Sequence, residues 1–335
     1  MAVMLVLRAL GLGDLLTAVP ALRALRRARP DDRILLAAPE PLAPLVRLLD
    51  AEVELLPTAG LSALPAVPPV DLAVNLHGSG PESIADLRGT RPRRLLTHRH
   101  PDHPDLDGPE WKPDQHEVAR WCGLLAYAGV PADPTDLTLR RPATPSPAPG
   151  AVIVHPGAAS AARRWPPQRF AAVARALADD LAGTSARVLV TGSAEERALA
   201  TAVATDAGLG PEAVFAGHDL AELAALVAGA RLVVCGDTGV GHLATAFETP
   251  SVLLFGPTPP SRWGPPADRP RHVVLWAGTV GDPHASTPDP GLVRIATPTV
   301  VDAARTLLAG GAPCRTARTT QTASPSVSSA PATSD

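Results

Sequence analysis

The chain alternates short apolar runs with amphipathic runs, once before a proline-rich segment and again after it. The apolar runs are rich in Val, Leu and Ala, which is typical of strands buried on both faces. The runs that follow them place apolar residues three or four positions apart, as helices that cover a sheet do. Strands that alternate with helices form parallel sheets. The sequence therefore predicts an α/β fold, with one parallel sheet in each half.

The first half is predicted to begin with a buried strand and an amphipathic helix. Its strands are predicted at residues 2–7, 33–37 and 71–76. The apolar face of the first helix comprises Leu15, Leu16, Val19, Leu22 and Leu25. Pro20 lies within this helix and should kink it or delay its regular start, because proline cannot donate a backbone hydrogen bond.

The second half repeats the alternation over a longer stretch. Its predicted strands span residues 151–154, 187–191, 231–235 and 251–255, and its predicted helices span 167–178, 194–206, 220–229 and 239–247. Two helix starts carry the pattern of a reciprocal capping pair, Ser193 with Glu196 and Asp219 with Glu222.

A proline-rich segment separates the two halves and is the predicted interdomain linker. Residues 143–150 read Ala-Thr-Pro-Ser-Pro-Ala-Pro-Gly, and such a segment favours neither a helix nor a strand. We therefore predict two Rossmann-like domains, at residues 1–142 and 151–312, that face each other across a cleft. Residues 313–335 are mainly Thr, Ser, Ala and Pro, too polar to form a core, and are predicted to be a disordered tail.

The charge balance and the cysteines exclude several classes of protein. Basic residues number 30 and acidic residues 33, so nothing global indicates nucleic-acid binding. The 3 cysteines are too few and too scattered for a disulfide framework or a zinc site. The apolar run before Arg8 lacks a cleavage site and is far shorter than the ~20 residues of a membrane span, so it predicts a first strand. We expect a cytoplasmic protein.

The most informative segment for chemistry is Cys235-Gly-Asp-Thr-Gly-Val-Gly-His242, where a predicted strand ends and a helix begins. The first N–H groups of a helix lack partners within it, and the helix dipole places positive potential there. Such a turn predicts a seat for a diphosphate, and His242 follows close enough to reach it. Asp237 and His242 can each be explained locally, as a cap and as a buried histidine. A second Gly-rich turn after the next strand, Phe255-Gly-Pro-Thr258, favours a binding site instead.

Asp14 follows the first strand in the turn Gly11-Leu-Gly13-Asp14. A dinucleotide fingerprint would need a third glycine where Leu16 stands, so the turn argues against an NAD site. Asp14 lies at the carboxyl end of its strand, where ligands bind in open α/β sheets. It is either the N-cap of the following helix or a carboxylate that faces the cleft as a general base.

Two further turns in the second half follow predicted strands. The turn from His155 to Pro166 is rich in Gly, Ala and Ser and contains Arg163 and Arg164, and arginine side chains bind phosphate. The turn that ends in Ser193 is explained nearly as well by helix capping. The histidines and aspartates between residues 98 and 116 match no standard metal spacing, so we predict no metal site.

Three of these segments together resemble glycosyltransferase family 9, which contains the ADP-heptose:lipopolysaccharide heptosyltransferases. They are Gly-Asp-x5-Pro-Ala-Leu at 13–22, His-Pro-Gly with Arg-Arg-Trp-Pro at 155–166, and Asp-Thr-Gly-x-x-His at 237–242. The resemblance extends over about residues 2–308. It implies a GT-B fold of two Rossmann-like domains and an inverting sugar transfer that needs no metal and no cofactor.

The resemblance also implies roles for the site residues. Asp14 would deprotonate the acceptor hydroxyl from the N-terminal, acceptor side of the cleft. Thr238 and Gly239 would lie nearest the donor phosphates, and Glu222 would contact the ribose. The implied donor-binding set is Arg163, where the family commonly has lysine, with Glu222, Asp237, Thr238, Gly239 and His242. Gly13, Arg164 and Ser193 are additional candidates.

The implied donor is a nucleotide-sugar, such as ADP-heptose. The implied acceptor is a cell-envelope glycan or glycolipid, met by peripheral contact at the inner face of the plasma membrane. The 39 prolines and the single lysine, Lys112, are typical of a GC-rich source, which need not make lipopolysaccharide. Two other functions stay open at this point: a sugar-nucleotide epimerase with the same architecture, and a nucleotide-binding module without catalysis.

Overall fold

The computed structural model describes residues 2–62 and 64–310, and the tail predicted at 313–335 lies outside them. The described chain forms two sheets. The strands of the first are β1 Val3–Leu7, β2 Arg33–Ala38, β3 Val53–Pro57, β4 Leu72–Asn75 and β5 Arg94–Leu96. The helices of this half are α1 Leu12–Thr17, α2 Val19–Ala28, α3 Ala43–Val46, α4 Pro81–Gly89 and α5 Glu117–Tyr127.

The second sheet follows the same plan with one more strand. Its strands are β6 Val152–His155, β7 Val188–Gly192, β8 Val214–Ala216, β9 Leu232–Gly236, β10 Ser251–Phe255 and β11 His272–Trp276. The helices of this half are α6 Pro167–Asp180, α7 Arg197–Asp206, α8 Leu220–Ala228, α9 Gly239–Ala246, α10 Pro260–Trp263, α11 Pro290–Val293 and α12 Thr297–Leu308.

Both sheets are parallel and have the strand order of doubly wound folds. The first is ordered β3-β2-β1-β4-β5 and the second β11-β10-β9-β6-β7-β8. The strand order therefore reverses between β1 and β4, and again between β6 and β9. Folds of this class bind ligands at the carboxyl ends of the strands that flank the reversal. The predicted α/β class with two parallel sheets is confirmed.

The sequence does not predict the four edge strands, β3, β5, β8 and β11. An edge strand is covered on fewer sides than a central one, so its apolar run is shorter or mixed with polar residues. The central strands agree closely with their predicted bounds, and β10 has the bounds predicted from the sequence. The helix predicted at 194–206 begins later, at Arg197.

Pro20 lies at the start of a helix. The first helix ends at Thr17, Ala18 connects, and α2 begins at Val19, so Pro20 is its second residue. A backbone N–H at this position has no partner within the helix, and its loss costs little. The expectation that Pro20 delays a regular helix start is confirmed.

One of the two predicted capping pairs is fully formed. Ser193 N–H donates to Glu196 Oε2 at 3.0 Å, and Glu196 N–H donates to Ser193 Oγ at 3.2 Å. In the second pair, Glu222 N–H donates to Asp219 Oδ1 at 2.9 Å. The pattern also predicts that the Glu222 carboxylate accepts a hydrogen bond from the Asp219 N–H. This prediction is wrong, because the carboxylate lies 3.0 Å from His218 Nδ1 instead.

The segment between the sheets includes α5, which packs on α2, and the residues predicted to be the linker. The exact boundaries at 142 and 151 stay predictions. Within residues 2–62 and 64–310, no helix combines the length and the apolar character that a membrane span requires.

The two halves meet where α1 packs on α9. A Cβ atom at Gly239 would lie 2.7 Å from Leu12 Cγ, and one at Gly13 would lie 2.9 Å from His242 Cδ2. Glycine at these two positions therefore allows the two helix starts to approach. One buried apolar cluster contains residues of both helices, among them Leu15, Leu16, Val240, Leu243 and Ala244.

Gly239→Ala should destabilise the protein, because the added methyl group would overlap Leu12 and force α1 and α9 apart. Overpacking of this kind costs about 1–3 kcal/mol. Urea denaturation measures the free energy of unfolding. The matched control is Gly89→Ala, a helical position with no atom within 4 Å of the added carbon, which should be neutral or slightly stabilising. Equal stability of Gly239→Ala and wild type would contradict the close packing.

Candidate functional site

Asp14 lies in the first turn of α1, just beyond the carboxyl end of β1. Gly11 has extended backbone angles and is the N-cap of this helix, so the interpretation of Asp14 as the N-cap is wrong. The Asp14 side chain keeps 26% of its surface exposed. Its neighbour Gly13 touches the other half of the molecule through His242. Asp14 is therefore placed for contact with a ligand at the junction of the two halves.

A buried arginine, Arg8, holds Asp14 in place. Its Nη2 donates to Asp14 Oδ1 at 3.2 Å, and its Nε donates to the Asp14 carbonyl at 3.0 Å. The same Nη2 lies 3.0 Å from Glu117 Oε1 on α5. The sequence does not single out either residue, because arginine accounts for nearly all basic positions and Glu117 is distant from Asp14 along the chain.

The environment of Asp14 makes its carboxylate more basic than usual. Burial raises the pKa of Asp14, the positive charge of Arg8 opposes this rise, and the negative charge of Glu117 adds to it. A carboxylate of higher pKa accepts a proton more readily in a transition state. Asp14 is thus suited to take a proton from a hydroxyl group.

Asp237 lies at the carboxyl end of β9 and is only 7% exposed. Arg163, which follows β6, places its Nη1 3.8 Å from Asp237 Oδ2, within ion-pair range. Since β6 and β9 are neighbours, these side chains meet where the strand order of the second sheet reverses. The fold thus brings together two of the predicted donor-binding residues at the usual ligand position of such sheets.

The start of α9 adds backbone donors beside this ion pair. Thr238 is the N-cap, and its Oγ1 accepts a hydrogen bond from the Val240 N–H at 3.2 Å. Gly239 is the first helical residue. The Val240 and Gly241 N–H groups both donate to Thr238, and the first N–H groups of the helix lie at the positive end of its dipole. Together with Arg163 they form a positively polarised seat for an anion.

His242 lies on α9 between this seat and α1. Its ring centroid is 5.9 Å from that of Trp263, in an edge-to-face arrangement. Burial lowers the pKa of His242 to about 4, and the nearby charges of His116, Arg163 and Arg8 contribute in the same direction. The imidazole is therefore neutral at pH 7 and offers one hydrogen-bond donor and one acceptor.

The loop that carries Arg163 is supported by the segment after β11. Ser160 Oγ donates to the Pro283 carbonyl at 2.6 Å. The Ala162 N–H donates to the Ala285 carbonyl at 3.2 Å. The turn around Pro283, to which the sequence assigns no role, therefore fixes the loop that presents the arginine.

Three of the predicted residues have local partners of their own. Glu222 is exposed near the start of α8 and pairs with His218. Ser193 exchanges hydrogen bonds with Glu196, and Arg164 Nε donates to the Ala158 carbonyl at 2.9 Å. All three follow strands of the second sheet. Their donor-binding roles stay predictions.

The His- and Asp-rich segment at residues 98–116 ends with two contacts that join the two halves of the molecule. His116 Nε2 lies 3.0 Å from the Gly264 carbonyl, and Asp114 forms an ion pair with Arg262. In the described parts of the chain, no group of three or more His, Cys, Asp or Glu side chains has the arrangement of a metal site. The sequence alone gives no signal for this bridging role.

A family model described as glycosyltransferase family 9 (heptosyltransferase) matches residues 109–285, more than half of the 335-residue chain. The chain belongs to glycosyltransferase family 9. Among curated proteins, lipopolysaccharide heptosyltransferase 1 of Pseudomonas aeruginosa is 38% identical to this family 9 chain over 156 residues. The alignment spans 45% of this chain and 42% of the relative, so it covers less than half of either protein.

Solved structures resemble this family 9 chain over nearly its full length. The glycosyl transferase family 9 structure from Veillonella parvula has a TM-score of 0.75 at 20% identity and covers 92% of this chain and 98% of that one. The structure of E. coli ADP-heptose lps heptosyltransferase II has a TM-score of 0.71 at 20% identity, covering 92% and 99%. The predicted GT-B arrangement is confirmed.

Asp237→Asn should stabilise the protein at neutral pH. Burial raises the pKa of Asp237 from 3.8 to about 6, although Arg163 opposes the rise. Because the folded carboxyl binds its proton more tightly than the unfolded one, the wild type loses stability as the pH rises from about 4 to about 6. A rise of two pKa units corresponds to about 3 kcal/mol, which is the upper limit of the gain.

Urea denaturation at several pH values measures this difference. The variant and the wild type should differ little near pH 4, and the difference should grow to a plateau above about pH 6. Asp268→Asn, at an exposed position, is the matched control and should show no such growth. A difference that is the same at every pH would contradict a buried, ionised Asp237.

Proposed function

We propose that this chain is an inverting, metal-independent glycosyltransferase that moves a heptose or a related sugar from an ADP-sugar to a cell-envelope glycan. Asp14 is its general base. The observation that carries the proposal is the contact between the starts of α1 and α9. This contact sets the turn of Asp14 against the helix that begins with Thr238 and Gly239, although the two belong to different sheets.

Asp14 activates the acceptor in this proposal. Its carboxylate takes the proton of the acceptor hydroxyl, and the hydroxyl oxygen forms the new bond to the anomeric carbon. The bond between that carbon and the diphosphate oxygen breaks, and its electron pair leaves with the diphosphate. Attack from the side opposite the leaving group inverts the anomeric centre. The raised pKa of Asp14 supports this role.

The seat at the start of α9 stabilises the leaving diphosphate. Arg163 and the first N–H groups of α9 present positive potential where negative charge develops. The neutral His242 donates or accepts a hydrogen bond beside them without adding charge. These groups provide the charge compensation that the diphosphate needs, which supports a transfer without a resident metal or cofactor.

The relatives support the substrate class. A curated relative is named a lipopolysaccharide heptosyltransferase, and a solved structure is named an ADP-heptose heptosyltransferase. We infer an ADP-sugar donor and a lipopolysaccharide-type or related glycan acceptor for this chain. Transfer then takes place in the cytoplasm, with peripheral contact to the inner face of the plasma membrane where a lipid-borne acceptor is exposed.

Asp14→Asn should abolish transfer while ADP binding stays nearly intact. The amide keeps the shape of the side chain but cannot take a proton, and loss of a general base costs about 10²–10⁴ in rate. Acceptor-dependent ADP release from ADP-heptose, measured in EDTA, gives the turnover. Asp31→Asn, at an exposed position before β2, is the matched control and should keep full activity.

The outcomes of this assay separate the alternatives. Undiminished turnover of Asp14→Asn would exclude Asp14 as the base. Loss of wild-type activity in EDTA would overturn metal independence. Product formation without an acceptor would indicate an epimerase, and ADP-sugar binding without any turnover would indicate a binding module.

Arg163→Ala should weaken ADP binding by about 10- to 100-fold, because a hydrogen bond to a charged group contributes ~1.5–3 kcal/mol. Isothermal titration calorimetry measures the dissociation constant. In thermal unfolding, ADP at a hundredfold excess over that constant should stabilise the wild type by about 2.7 kcal/mol. Arg305→Ala is the control, since Arg305 pairs with the distant, surface-exposed Asp180. Equal ADP affinity in Arg163→Ala, or stabilisation by NAD alone, would contradict the donor site.

A further inference from the structure

Arg8 is the centre of a buried hydrogen-bond network around Asp14. Its side chain is fully buried, and every nitrogen of its guanidinium donates at least one hydrogen bond. The acceptors come from three separate parts of the first half: Asp14 and Thr17 on α1, Leu76 and His77 after β4, and Glu117 on α5. Asp14 is thus oriented by a side chain that is itself immobilised.

A guanidinium that paired with Asp14 alone would make Asp14 a weaker base. A positive charge at hydrogen-bond distance favours the ionised carboxylate and lowers its pKa, so the carboxylate takes protons less readily. Glu117 lies on the same nitrogen, with Oε1 3.0 Å from Arg8 Nη2. One positive charge is therefore shared between two carboxylates, and its effect on Asp14 is reduced.

The second carboxylate oxygen of Glu117 is held by Arg120. Its Oε2 accepts a hydrogen bond from Arg120 Nε at 3.1 Å, while the Arg120 guanidinium lies 3.7 Å from the ring centroid of Trp111. The Glu117 side chain keeps only 11% of its surface exposed. A carboxylate this buried must remain paired. Glu117 is therefore a fixed part of the network and not a solvated surface charge.

We propose that Glu117 is a positioning residue for Asp14 that acts through Arg8. It holds the guanidinium that orients Asp14, and it offsets the positive charge that would otherwise make Asp14 a weaker base. This inference rests on the proposed role of Asp14 as general base. It adds a second carboxylate to the acceptor side of the site, one that touches neither the donor nor the acceptor.

Several other charged or titratable groups border the network and belong in any interpretation of its pH dependence. His77 approaches Arg8 from the end of β4, and its pKa is lowered by burial and by the charge of Arg8. The groups that interact with Arg8 or Glu117 from the neighbouring elements are His77, His98, Arg120 and His242. None of these groups carries a negative charge, so besides Asp14 itself it is Glu117 that offsets the charge of Arg8.

The test is Glu117→Gln, which keeps the size of the side chain and one acceptor oxygen and removes the charge. The pKa of Asp14 is measured directly by carbon NMR of labelled aspartate carboxyls, with Asp14→Asn to assign the signal. The pKa should fall, because a charge that raises it is lost. The acid limb of the kcat/KM profile, which reports the free enzyme, should move to lower pH by the same amount. The plateau kcat should fall as well, by less than the ~10²–10⁴-fold of complete base loss.

Two further variants keep the test decisive. Glu117→Asp retains the charge and should restore the Asp14 pKa toward that of the wild type, which a purely structural role would not predict. Glu54→Gln removes a carboxylate that binds the exposed Arg33 through both oxygens. As the matched control it should leave the Asp14 pKa and kcat unchanged.

The two readouts separate this inference from the proposed function. An unchanged Asp14 pKa in folded Glu117→Gln would overturn the role of Glu117, whatever the activity. A lowered Asp14 pKa in a protein whose wild type transfers no sugar would refute the proposed function and leave the positioning of Asp14 by Glu117 supported.

Discussion

The contact between α1 and α9 is the interaction on which the rest of the site depends. It exists because Gly13 and Gly239 lack side chains at the point where the two helices touch. Each sheet by itself offers half of a site: a poised carboxylate at the end of β1, and a positively polarised seat at the ends of β6 and β9. The packing of one helix start on the other brings these two features together at the junction of the sheets.

Much of this arrangement could be predicted from the sequence, because strand ends carry a clear signal. Asp14 and Asp237 follow apolar runs and precede helices, so both can be assigned to the carboxyl edges of parallel sheets. Arg8 and Glu117 give no such signal. Arg8 is one arginine among many, and its partner Glu117 lies on a helix far along the chain, so only the tertiary structure shows that both belong to the network around Asp14. The edge strands β3, β5 and β8 are missed because their apolar runs are short or interrupted by a charged residue.

Charge burial links the chemistry of the site to its stability. Asp237 and His242 are each held in surroundings that disfavour their ionised forms, and burial is the main cause in both cases. A protein selected for stability alone would place apolar side chains here. That polar groups occupy these positions is what a bound ligand would explain, because Asp237 pairs with the arginine of the anion seat and the neutral His242 offers the ligand a hydrogen bond.

The support of the Arg163 loop by the segment around Pro283 has a consequence for how the protein is made. The chain is synthesised from its N-terminus, so β6 and the arginine loop emerge from the ribosome well before the residues that brace them. Until those residues are synthesised, the loop that carries Arg163 lacks the two hydrogen bonds that support it. The shape of the Arg163 loop therefore depends on residues 283–285, and a chain that ended before them would lack this support.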